Sequence, residues 1–346
     1  MNVLLNNNII KYINIQIINK NIKILEKIHN QIKPIYNSID KSLFKIESND
    51  YIFVIHQIQK TQLYDLKKFR HYVDSIKNIT KISYKNITMY ITDNKYIINA
   101  KEMLKIAYTF AKFKNINNNI IIYWFPIDKK RDFDFNEIND ENLKESINNF
   151  NAFSTSGSTT GNLTIITRLE EATKLLLHEL IHNYNIDGSN YHEQLLQVIN
   201  NYENTKNSNN YKYEFCMYES YTELLSSYFS IIFRNINNID IHNRIETEIF
   251  IEILYSYNTV CNIIKLNGYT SIDNFIKNGY FKGNICFYEY YYLKALMYNN
   301  FVIKFGINIY DFMNIYNKIM QIKPDMLLKQ IFNNSYKQKN FKYIYY

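Results

Sequence analysis

Hydrophobic positions along the chain follow two regimes. As far as residue 167, short β-branched and aromatic runs alternate with helical stretches; beyond Gly188, strand patterns nearly vanish and helical spacing takes over. Tyr51 to Ile58 (YIFVIHQI) and Ile87 to Thr92 (ITMYIT) are short and β-branched, the second followed by the turn Asp93-Asn94, and both predict strands. Between Ala100 and Phe113, Met103, Leu104, Ala107, Phe110 and Ala111 recur at helical spacing. Ile120 to Phe125 (IIIYWF), stopped by Pro126, is the strongest strand pattern in the chain. Residues 1 to 40 read as a lead-in with a helix over Ile22 to Ile32. Leu163 to Thr167 (LTIIT) predicts a short edge strand of the kind that can hold an extended peptide. It is fed by Ser154 to Gly161, the one place where Gly and Ser/Thr cluster. No Gly-Lys-Ser/Thr follows that loop, so it is not a phosphate loop.

Downstream, helices are predicted at 190–203, 212–234, 240–265, 286–300 and 308–333, and Asp187-Gly188 reads as a helix stop. A mixed half followed by a helical half makes an α+β chain.

The segment at their junction carries chemistry. Leu169, Ala172, Leu175, Leu176, Leu180 and Ile181 form an apolar face at helical spacing, with no Pro or Gly between 162 and 187. At its end stands His178-Glu179-Leu180-Ile181-His182. Histidines four apart on a helix project from one face a turn apart, as two imidazoles must to share one zinc ion. Glu179 then sits beside the metal without ligating it, where a general base for a zinc-bound water belongs.

Composition narrows the alternatives. At 346 residues and 47% hydrophobic, the chain can bury a proper core. Its bias toward Asn, Ile, Lys and Tyr is what adenine- and thymine-rich codons produce. The net charge of +8 is spread over single and paired lysines without a basic run or stripe, which reads as solvated surface and argues against a nucleic-acid partner. Three well-separated cysteines, Cys216, Cys261 and Cys286, point to a reducing compartment. The N-terminus lacks a signal-peptide pattern and no apolar run reaches membrane-spanning length, so the expectation is an intracellular, cytoplasmic protein without a membrane partner.

A catalytic zinc needs a third protein ligand and an open position for water. The metzincin continuation H-E-x-x-H-x-x-G-x-x-H fails, since Asn185 and Gly188 occupy its glycine and histidine positions. His192 follows the helix stop with no supporting pattern. Glu219 lies in an apolar helix (Phe215, Met217, Leu224, Leu225, Tyr228, Phe229) with Glu223 one turn on. Two carboxylates so placed repel unless something compensates them, and a zinc ion does. Glu219 is then the expected ligand, and Glu223 the acceptor for the free ring N–H of His178. Cys216, a turn before Glu219, reads as a core thiol.

HELIH followed by Glu219-x-x-x-Glu223 on a later helix resembles the gluzincin clan of zinc metallopeptidases, the thermolysin-like group with E-x-x-x-D or E-G-x-x-E on its second helix. Ser220 stands where the second version has Gly, and Glu223 replaces Asp. More loosely, Ser156-Gly157, Thr167-Arg168-Leu-Glu-Glu171, HELIHNYNID and Phe287-Tyr-Glu-Tyr290-Tyr291-Tyr-Leu-Lys294-Ala295 are similar to uncharacterised metallopeptidase-like proteins of large DNA viruses, which would place the chain in host cytoplasm or a virion. The resemblance implies a zincin-like fold with its active site in a cleft between the two halves. It implies an N-terminal region over 1–110 and a catalytic domain over 111–346, divided into 111–187 with the metal helix and a helical part over 188–346. It further implies Zn2+ held by His178, His182 and Glu219, Glu179 as base, a polypeptide substrate, and an oxyanion donor for which Tyr290 and Tyr291 are the candidates. A metal-binding scaffold without turnover and a basic nucleic-acid-associated protein with an accidental motif are the competing classes.

Overall fold

The computed structural model describes residues 12–49, 51–60, 67–128, 153–154, 163–169, 171–188, 217–266, 268–274, 293–306, 308, 310–311, 313–315 and 326–334. Its contacts divide the chain into two units, one of residues 27–184, 232–237 and 340–346, the other of 1–26, 185–231 and 238–339. The architecture is α+β, with strands in the first unit and helices in both.

The first unit is built on a six-stranded sheet in the order β1-β2-β3-β4-β6-β5. Its strands are β1 (Lys45–Asn49), β2 (Ile79–Tyr84), β3 (Ile87–Ile91), β4 (Ile120–Trp124), β5 (Phe153–Ser154) and β6 (Leu163–Ile166). β1, β2 and β3 run antiparallel, β3, β4 and β6 parallel, and β5 returns antiparallel to β6. The strands expected at 87, 120 and 163 are therefore present. The last is not the sheet edge, because the two residues of β5 pair with Ile165 and Thr164.

Register sorts the side chains into two faces. Ile82, Met89, Ile122 and Thr164 stand in one row across the sheet, and Lys81, Tyr90, Tyr123 and Ile165 in the next. Helix α4 (Ile97–Phe113) covers β2 and β3, and α5 (Ala172–Asn183) packs on β5, β6 and α4. Helix α1 (Ile15–Asn37) meets α4 where the Tyr36 hydroxyl donates to Glu102, which also takes an ion pair from Lys41. The opposite face is closed by α2 (Tyr51–Ile58), α3 (Lys67–Asp74) and the turn after it: Val54, Ile58, Val73 and Ile76 pack with Tyr123, Phe125 and Ile165.

Helix α2 corrects the sequence expectation of a strand over Tyr51 to Ile58. The run is β-branched, but its buried positions are Val54 and Ile58, four apart, while Ile52 and Phe53 are 55% and 54% exposed. Only a helical period separates Ile52 from Val54 in this way. Eight apolar residues carry both periods, and the need to cap the Tyr123 face selects the helical one.

The second unit is helical: α6 (Met217–Arg234), α7 (Ile241–Leu266), α8 (Lys294–Asn300) and α9 (Met326–Asn334), with α7 packed on α8 and α9. Ile245, Ile249, Ile253, Tyr257, Val260 and Ile264 are buried along one stripe of α7, and Leu224, Leu225, Tyr228 and Phe229 along α6. Asn21 of α1 is fully buried among them. Its amide donates to the Tyr228 hydroxyl at 3.2 Å and the Phe301 carbonyl at 2.9 Å, and its oxygen accepts from the Ile303 N–H at 2.9 Å. The helix expected at 190–203, and parts of those at 286–300 and 308–333, lie outside the described residues. Among the described residues no helix is long and apolar enough to cross a membrane.

Candidate metal centre

The residues leading into α5 fix where the histidines emerge. The Leu169 N–H donates to the Ile127 carbonyl at 3.2 Å, so Leu169 continues the strand side and the helix begins only at Ala172. The apolar face read from Leu169 onward thus starts three residues late. Arg168, 1% exposed, reaches Glu171 at 3.3 Å, and its carbonyl accepts from the indole of Trp124 at 2.9 Å. Glu171 precedes the helix in the left-handed region at φ 59°.

At the other end, the helix stops earlier than Gly188. Tyr184 is the C-cap, and Asn185, at φ 50°, takes the left-handed position that ends helices and that Asn tolerates. The Asn183 amide donates to the Thr164 hydroxyl at 2.7 Å, pinning the last turn of α5 to β6. Burial holds the Tyr184 phenol far above its ordinary pKa.

Between these ends, α5 is buried nearly all round: Leu176, Leu177, Leu180 and Ile181 pack, and His178, Glu179 and His182 are 7%, 6% and 9% exposed. The Nε2 atoms of His178 and His182 converge to 3.0 Å, with the rings inclined at 77°. Two zinc–nitrogen bonds of about 2.0–2.1 Å at a tetrahedral angle would set the nitrogens about 3.3 Å apart, so the pair needs little movement to share one ion. One donor atom from each of His178, His182 and Glu219 lies within 4.8 Å of the others, the one such group among the described residues. Two imidazoles and one carboxylate are the donor set of several catalytic zinc sites, and the residues fit that ion.

Glu219 sits in the first turn of α6, half-buried. Glu223, one turn on, faces a group that the sequence did not suggest: Lys294 Nζ lies 4.0 Å from its Oε2 and 3.4 Å from Glu252 Oε2 on α7. Between the two glutamates, Thr222 donates its hydroxyl to Asp187 at 2.8 Å. Beside this cluster Tyr298 is fully buried, and its phenol is pushed well above the usual range, by burial first and by the charge of Glu252 next.

Lys294, Thr222 and Asp187 escaped sequence reasoning. Lys294 is hidden in an apolar helical run, and Asp187 reads as a turn residue beside Gly188. Tyr290, Tyr291, His192 and Cys216 lie outside the described residues, as does the loop from 155 to 162. Cys261 is a free, buried thiol on α7 whose Sγ donates to the Leu328 carbonyl at 3.6 Å.

No protein-family profile and no solved structure matches the chain. Among curated proteins it is similar to an uncharacterized protein of Acanthamoeba polyphaga mimivirus, 29% identical over 199 residues. That alignment covers 54% of this chain and 49% of the mimivirus protein, so the match spans about half the length of each.

Proposed function

We propose that the chain is a zinc-dependent metalloendopeptidase of gluzincin type with a zincin-like catalytic fold, acting on polypeptide substrates. The observation that carries this reading is the convergence of His178 and His182 at 3.0 Å with a Glu219 oxygen in the same 4.8 Å group. Glu179 stands next in sequence to the first ligand, as a base for water requires.

In this reading His178, His182 and Glu219 hold the metal. A zinc ion bound there supplies Lewis acidity and lowers the pKa of a bound water toward about 7. Glu179 takes the proton from the attacking water and returns it to the leaving amine. The burial of Glu179 and both histidines keeps bulk water from competing for that proton. Tyr290 and Tyr291 remain the proposed donors to the developing oxyanion, and Glu223 the proposed acceptor for the His178 ring N–H. The mimivirus similarity and the Asn-, Ile-, Lys- and Tyr-rich composition support a viral source, with action in host cytoplasm or a virion.

Elemental analysis of the purified protein tests the site. Wild type should carry about one zinc per chain, lost in His182→Ala and Glu219→Ala and kept in Glu179→Gln and His192→Ala. A wild type without zinc after reconstitution sinks the peptidase reading. Metal lost only in His192→Ala would remove the chain from the gluzincin type.

A further inference from the structure

Lys294 opens α8 at 1% exposure, among Leu293, Ala295, Leu296 and Met297, which are all buried. Its ammonium lies between two carboxylates from different helices, Glu252 at 3.4 Å and Glu223 at 4.0 Å. An apolar side chain would pack among those neighbours without the cost of stripping water from a cation. Buried ion clusters can often be exchanged for hydrophobic residues with no loss of stability. Packing therefore does not call for a lysine here; the two glutamates do.

Glu223 is four residues beyond Glu219, and like charges at that helical spacing repel. A cation 4.0 Å from Glu223 Oε2, anchored by its hydrogen bond to Glu252, lowers that repulsion by offsetting the Glu223 charge. We propose that Lys294 is a positioning residue of the metal centre. It offsets the charge of Glu223, so that less like-charge repulsion falls on Glu219, one turn earlier on α6, when Glu219 turns its carboxylate toward the metal. The proposal rests on the metallopeptidase reading and extends it to a residue outside the coordination sphere.

The test is the zinc dissociation constant, measured by competition with a chromogenic chelator, alongside thermal unfolding of the zinc-free protein. Lys294→Met combined with Glu252→Gln removes one positive and one negative charge together. That pair should unfold near the wild-type temperature yet bind zinc about tenfold more weakly. Lys294→Arg keeps the cation and should stay within about twofold of wild type. In a Glu223→Gln background the Lys294→Met/Glu252→Gln pair should add nothing further, because Lys294 acts through Glu223. Should the pair fold poorly, Lys294→Gln gives the same reading on its folded fraction. Wild-type zinc affinity in the variants lacking the cation overturns the proposal alone, as does a loss that adds in full to that of Glu223→Gln. A wild type that binds no zinc overturns the metal centre first, and the two failures are distinct.

Discussion

Asp187, five residues beyond His182, accepts a 2.8 Å hydrogen bond from Thr222, which lies three residues beyond Glu219. Both side chains are fully buried. The segment leaving the histidine helix is thereby tied to the helix that carries the third proposed ligand. The Tyr218 carbonyl one turn back lies 2.9 Å from the same hydroxyl, so the one Thr222 proton is shared between two acceptors that together fix its rotamer.

Replacing Thr222 with Val keeps the shape and removes the hydroxyl. Taking a donor from a fully buried carboxylate costs about 1–3 kcal/mol, which a urea unfolding midpoint would register. Zinc affinity should fall by about tenfold as well, since the contact registers Glu219. A Thr222→Val protein with wild-type stability and zinc affinity would mean that the bond positions nothing.

Helix α5 with its histidine pair was legible in the sequence because its evidence is local: two histidines at one helical spacing on an apolar face. The strands at 87, 120 and 163 were legible for the same reason: each is a short β-branched run, the first two closed by a turn or proline and the third entered from a Gly/Ser/Thr-rich stretch. What escaped depends on partners far along the chain. Val54 and Ile58 choose a helix because Tyr123 and Ile165 present a face to cover. Helix α5 starts late because Leu169 is bonded along the strand side to Ile127 and Glu171 then turns through the left-handed region at φ 59°. Lys294 gains its meaning from Glu223 and Glu252, 71 and 42 residues away in sequence. No window-sized pattern contains those pairings.

The single tryptophan is a built-in reporter of the entrance to α5. Trp124 is 1% exposed and donates its indole N–H to the Arg168 carbonyl, so its emission should be blue-shifted in the native protein and move red in a single step as urea unfolds it. Trp124→Phe removes that donor from a buried carbonyl and leaves a void, and should destabilise by about 1–3 kcal/mol, read by circular dichroism. An emission maximum that does not shift on unfolding would contradict the burial.

Alkaline pH should weaken the fold. Burial raises the phenols of Tyr221, Tyr228 and Tyr298 above their ordinary value, and pushes the Cys261 thiol from 9.0 up to about 12. The unfolded chain releases these protons first, so stability is full below about pH 9 and falls as pH climbs toward the raised native values. Lys114 and Lys265, lowered by desolvation, work in the opposite sense, but both are only half-buried. The urea midpoint at about pH 10.5 should therefore lie below that at about pH 8, and Cys261 should resist thiol reagents until the chain unfolds. Equal midpoints would mean that the phenols are solvated.

Glu179→Gln separates holding a metal from using it. The amide is nearly isosteric with the carboxylate, and the helix that carries the buried Glu179 is anchored by Leu176, Leu177, Leu180 and Ile181, so the variant should fold and keep zinc near wild-type stoichiometry. An amide cannot accept the water's proton at neutral pH. Cleavage of a peptide library, followed by mass spectrometry, should then fall by about 10²–10⁴-fold or more relative to wild type. Loss of zinc together with activity would make Glu179 a structural support of the site, and unchanged cleavage would remove it from the chemistry. A wild type that binds zinc tightly and cleaves no member of the library would shift the reading toward a metal-stabilised scaffold, because the ligands and the base would then be present without turnover.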